Sequence, residues 1–122
     1  HRRVALLTGR LDWAELLRTT GVVVDATGLV PWARWITPEW SARRFDAFFF
    51  LAALPPGSTP RWVPGESDRA DWFAVRDAVR LHDDGGLPMM LPTITVLRTL
   101  TAHETVASAA AAAPGSVPVA AG

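Results

Sequence analysis

The sequence predicts an α/β (α+β) protein in which helices pack on a sheet. The apolar pattern changes from a helical to a two-residue period at Gly28 and returns to a helical one near Ala74. The two longest β-like runs, 29–37 and 43–54, are consecutive in the chain, which implies an antiparallel pair. At 122 residues the chain has room for one domain with a real core.

"HRRVALLTG" holds helix formers before a glycine stop, and "LDWAELLRTTG" can be capped by Asp12 with Glu15 three residues on. Trp13, Leu16 and Leu17 form one apolar face, so the pair reads as a small helical hairpin. "LVPWARWIT" is a strand, and Pro31, lacking an amide, puts its start at an edge or a bulge. "TPEWSA" is the turn. "RRFDAFFFLAALP" is apolar on both faces, which predicts a central strand covered on both sides, with Asp46 as the one charge within it. "PPGSTP" is a loop, and short strands are expected at "RWV" and around Trp72. "AVRDAVRLHDDGG" is a helix with Val75, Ala78, Val79 and His82 on one face. "MMLPTITVLRTLTAH" starts another at Pro92, with Val96, Leu97 and Leu100 inward. Residues 105–122, rich in alanine, proline and glycine, read as a disordered tail.

Composition narrows the function. Formal net charge is zero, which argues against a nucleic-acid partner held by bulk electrostatics. With no cysteine there is neither a disulfide framework nor a thiolate metal site, and no signal-peptide pattern opens the chain. The expectation is a cytoplasmic protein without a membrane partner. The chain has twelve basic residues, all arginine, and also lacks asparagine, glutamine and tyrosine. Codon bias in a GC-rich genome explains that at least as cheaply as function, so each arginine must be judged on its position. The chain begins at His1, in what reads as the end of a helix, and the expectation is a piece of a longer protein.

Trp35, Thr37 and Pro38, then Arg43, Arg44, Phe45, Asp46, Phe49 and Phe50, form a W-x-T-P strand end followed by an R-R-F-D-x-x-F-F strand. Glu66 and Trp72 come next in an acidic turn, and Leu91, Pro92 and Thr93 open a helix. In that order these residues resemble the C-terminal half of a Nudix hydrolase, nearest the coenzyme A diphosphatase-like group. The resemblance runs from about Leu11 to Leu100, and its W-x-T-P to R-R-F-D stretch is the specific part. It implies part of an α/β/α sandwich with a mixed sheet, residues 1–104 belonging to the domain and 1–21 to a helical insertion. It implies an enzyme that cleaves a nucleoside diphosphate linked to another moiety, with Mg²⁺ or Mn²⁺ as cofactor.

The departure is as informative. Nudix catalysis rests on a helix bearing R-E-x-x-E-E-x-G, whose glutamates share one face and hold the metal. This chain has four glutamates, Glu15, Glu39, Glu66 and Glu104, and no two lie within four positions of each other. The expectation is that the chain begins after that helix, supplies the substrate-binding wall and no metal ligand, and is inactive alone.

The candidate site residues are weighed singly. Arg34, Arg43 and Arg44 can grip phosphate through a guanidinium fork, or stand as solvated strand ends. Asp46, in an apolar strand, needs an arginine or backbone amides, and structural pairing with Arg34 or Arg44 outweighs ligand contact. Trp40, in the turn beside Arg43, is the best placed of the tryptophans to stack on a base; Trp32, Trp35, Trp62 and Trp72 read more as core. Glu66 is the carboxylate that the resemblance offers as a catalytic residue outside the missing helix, against a solvated turn. His82, His103 and Glu104 lack metal-ligand spacing. Rival readings are a non-catalytic module for nucleotide or RNA and a protein-interaction domain; a homodimer is compatible with any of them.

Overall fold

A computed structural model describes residues 5–6, 8–65 and 67–113, and the backbone of Val119–Ala121. The chain is a mixed α+β protein. Helix α1 (Trp13–Thr20) precedes strands β1 (Leu29–Ile36) and β2 (Asp46–Ala52). Helices α2 (Val75–Asp83), α3 (Leu91–Leu100) and α4 (Val106–Ala111) come after them, and β3 (Val119–Ala121) is last. The sheet runs β2-β1-β3, antiparallel between β1 and β2 and parallel between β1 and β3.

Local chemistry sets the helix ends. The Asp12 carboxylate accepts the Glu15 amide at 2.7 Å, and Gly21 takes the left-handed conformation (φ 67°) that closes α1. Pro92 occupies the first turn of α3, where an amide has no intrahelical acceptor in any case. Asp83 at the end of α2 takes both outer nitrogens of Arg98, the shorter contact 2.5 Å, and ties α2 to α3.

Pro31 pairs with Phe50 and Ala33 with Phe49, so Trp32 is the extra residue of a bulge, where the missing proline amide allows one. The bulge shifts the alternation, and Trp32, Ala33 and Trp35 are all buried. Trp32 packs with Ala33, Val96 and Ala109, flanked by Phe49, Leu51, Leu100 and Ala113. Its indole N–H donates to Thr99 Oγ1 at 2.9 Å, and His103 meets the ring edge-on at 5.7 Å.

Three expectations are corrected here. β2 is an edge strand of this sheet, not a central one: Ala47, Phe49 and Leu51 turn to the helices, while Phe48 and Phe50, 53% and 49% exposed, face out. The segments 61–63 and around Trp72 form no strand; Pro60 and Pro64, which have no amide for a ladder, flank the first of them. The predicted tail is helical over Val106–Ala111, because Thr105 and Ser108 form a reciprocal capping box and Ala109 is small enough to pack on Trp32. Residues 114–118 of that prediction lie outside the described residues.

Leu29, Phe48 and Phe50 leave an open apolar patch on the outer sheet face.

The packing of Trp32 and the open sheet face each have a measurable consequence. Thr99→Val leaves the Trp32 indole without its acceptor and should lower the urea unfolding free energy by about 1 kcal/mol, whereas Trp32→Ala should lower it by about 3–5 kcal/mol. Phe48→Thr with Phe50→Thr should reduce self-association in sedimentation velocity; an unchanged profile would show that this face plays no part in it.

Candidate functional site

The connection between β1 and β2 carries three of the six candidate residues, Trp40, Arg43 and Arg44. Its neck is closed by backbone and hydroxyl together. The Thr37 amide donates to the Phe45 carbonyl and the Phe45 amide to Thr37 Oγ1, both at 2.9 Å. Inside the loop, the Ser41 amide donates to the Pro38 carbonyl at 3.1 Å, and Ser41 Oγ donates to the Arg43 carbonyl at 2.9 Å. These bonds leave the loop's long side chains outside. Trp40 is 84% exposed, and Glu39, Arg43 and Arg44 are exposed too.

Arg44 points back to its own loop, where Nε and Nη2 donate to the Thr37 carbonyl, each at 3.4 Å. The Arg43 guanidinium has no hydrogen bond or ion pair among the described residues. The loop therefore presents one indole, one unengaged guanidinium and one weakly held guanidinium, against the single carboxylate of Glu39. An anion with paired oxygens that fit a guanidinium fork, carried on a planar ring that can lie on an indole, is the chemistry that such a rim accepts.

Arg34 and Asp46 stand just inside the neck and hold each other. Nε and Nη2 of Arg34 donate to the two carboxylate oxygens of Asp46 at 2.7 and 2.6 Å, a two-pronged pair between diagonal neighbours of the ladder. The guanidinium also lies 5.0 Å above the Phe48 ring. The hydrogen bond holds the Asp46 carboxyl below its ordinary value and raises Arg34 above its own; partial loss of hydration opposes both shifts. The pairing weighed for Asp46 is thus present with Arg34. Glu66 lies outside the described residues.

Two further features form from separate segments. Trp62 and Trp72, expected in the core, are instead 49% and 78% exposed, and they line one cleft of about 300 Å³ with Pro60, Arg61, Ala70 and Asp71. A larger groove of about 490 Å³ runs between the end of β2 and the starts of α2 and α4, and Phe73, Arg76, His103 and Glu104 contribute to its wall. Arg76 is engaged there by the Thr101 carbonyl at 3.2 Å, and His103 by Trp32. Spacing in the sequence marks neither feature, since each forms only when separate segments fold together.

Among the described residues no three His, Cys, Asp or Glu side chains gather as a metal site. No helix there is long and apolar enough to cross a membrane. No family profile, curated protein or solved structure matches the chain.

Because the Asp46 pKa is depressed in the fold, the folded state holds fewer protons than the unfolded chain across the acidic range. The stabilisation from the pair is then present above the unfolded aspartate value and lost as pH falls through the folded one, below about pH 4. Asp46→Asn should lower the urea midpoint at pH 6, and the gap to wild type should narrow as pH falls below about 4. A gap that persists unchanged at pH 3 would contradict this assignment.

Proposed function

We propose that this chain is a substrate-binding wall of a Nudix-type diphosphate hydrolase, gripping a nucleoside diphosphate linked to another moiety, a coenzyme A-type group being one form. One observation carries the reading: the closed loop between β1 and β2 sets the unengaged guanidinium of Arg43 and the second guanidinium of Arg44 in the same short loop as the open indole of Trp40. The W-x-T-P and R-R-F-D residues that carry the family resemblance form that same loop and its flanks. Arg34 acts in this reading as a positioning residue: with Asp46 it braces the base of the loop.

The described residues do not fit the Mg²⁺ or Mn²⁺ of such an enzyme. Among them no three His, Cys, Asp or Glu side chains come together to share a cation. No catalytic step is assigned to this chain.

A second reading, a protein-interaction module, draws on the open apolar face of Leu29, Phe48 and Phe50. Titration with ADP-ribose separates the two. Binding should perturb the Trp40 indole signal, and Arg43→Ala with Arg44→Ala should weaken it about tenfold or more, since each replaces a charge-assisted hydrogen bond. The 122-residue chain should release no phosphate product from ADP-ribose with Mg²⁺. Absence of any ADP-ribose response would leave the interaction reading in place, and metal-dependent turnover would overturn the wall assignment.

A further inference from the structure

We infer that the cleft between Trp62 and Trp72 is a clamp for the nucleobase of a phosphorylated nucleoside, with Arg61 taking the adjoining phosphate. The inference rests on the reading of the chain as a nucleotide-binding wall and names a site which that reading leaves unassigned.

Four observations converge on it. The cleft, about 300 Å³, lies at the lower end of the size range of small-molecule sites. It has two indoles on its lining, whereas Trp40 stands alone in its loop. The two indoles form no ring pair with each other, and both are exposed, Trp62 at 49% and Trp72 at 78%. Trp62 is pinned, its Nε1–H donating to the Ser67 carbonyl at 2.8 Å, while Trp72 is 78% exposed. A held indole and an open indole on one lining give an entering planar group two apolar surfaces to cover.

Electrostatics choose the ligand's charge. Asp71 would repel an anion, but Arg69 holds its carboxylate in an ion pair. Arg61, also on the lining, has no hydrogen bond or ion pair among the described residues, and neither has the Trp72 indole N–H. The cleft therefore offers a free guanidinium and a free ring donor beside a neutralised carboxylate. A planar heterocycle carrying a phosphate satisfies all three; an uncharged aromatic ring leaves Arg61 unused.

The test is a ¹H–¹⁵N titration that tracks the six indole signals, with AMP, ribose 5-phosphate and a proline-rich peptide as probes. AMP should shift the Trp62 and Trp72 signals saturably, and ribose 5-phosphate at the same concentrations should not. Trp72→Ala should weaken AMP binding about tenfold or more, with the Trp32 signal and the unfolding midpoint unchanged. Arg61→Ala should weaken AMP more than adenosine. AMP binding that leaves both signals in place would overturn the clamp while the nucleotide reading stands. Shifts caused by the peptide alone would make the cleft a polyproline site, and absence of AMP binding would also overturn the clamp. The ADP-ribose titration at Trp40 decides the broader reading separately.

Discussion

The described core depends on one tryptophan at one irregular position. Trp32 is the extra residue where β1 slips against β2, and it reaches into the helical layer to meet Thr99, His103, Val96 and Ala109. A regular strand would have sent Trp32 and Ala33 to opposite faces. The slip turns both inward and sets the phase of the remainder of β1, so that Trp35 is buried and Arg34 points outward. The Arg34 guanidinium can then meet Asp46 and lie over Phe48. A packing event at the bulge thereby orients the ion pair at the base of the loop between the strands.

The same alternation leaves the sheet two-sided. Its inner face carries Ala47, Phe49 and Leu51 against helices, and its outer face carries Phe48 and Phe50 with little cover beyond the Arg34 fork. An edge strand with an open apolar face draws other chains to it. Arg34 and Asp46 place charge at one end of that face, one means by which edges resist unwanted pairing.

Much of this was legible in residues that constrain the backbone directly. Pro31 announced an edge or bulge because it has no amide to give, Pro92 marked a helix start for the same reason, and Asp12 marked one because its carboxylate can accept a free amide of the first turn. Asp46 announced a partner because a carboxylate in an apolar run is not stable alone. The failures are equally physical. An apolar run such as "AFFFLAA" does not say whether both of its faces are covered, because covering comes from other segments. Repeated alanine looks like low complexity, yet Ala109 is what lets α4 approach Trp32. The loop around Trp40 could be read as a site because its residues are adjacent in sequence. The Trp62 and Trp72 cleft could not, since it exists only once 60–62 and 70–72 lie side by side.

A chain whose basic residues are all arginine makes any one arginine weak evidence of function, and the structure supplies the missing filter. Arg18, Arg34, Arg69, Arg80 and Arg98 are engaged by carboxylates. Arg10, Arg44 and Arg76 donate to a hydroxyl or a backbone carbonyl. Among the described residues that leaves Arg43 and Arg61. Composition alone would scatter such leftovers over the surface with no regard to their neighbours. Instead one shares a short loop with Trp40 and the other lines a cleft with Trp62 and Trp72. A guanidinium without a partner beside an indole without cover is the pairing that a ring bearing a phosphate would complete. Composition sets the number of arginines but not where the unengaged ones stand.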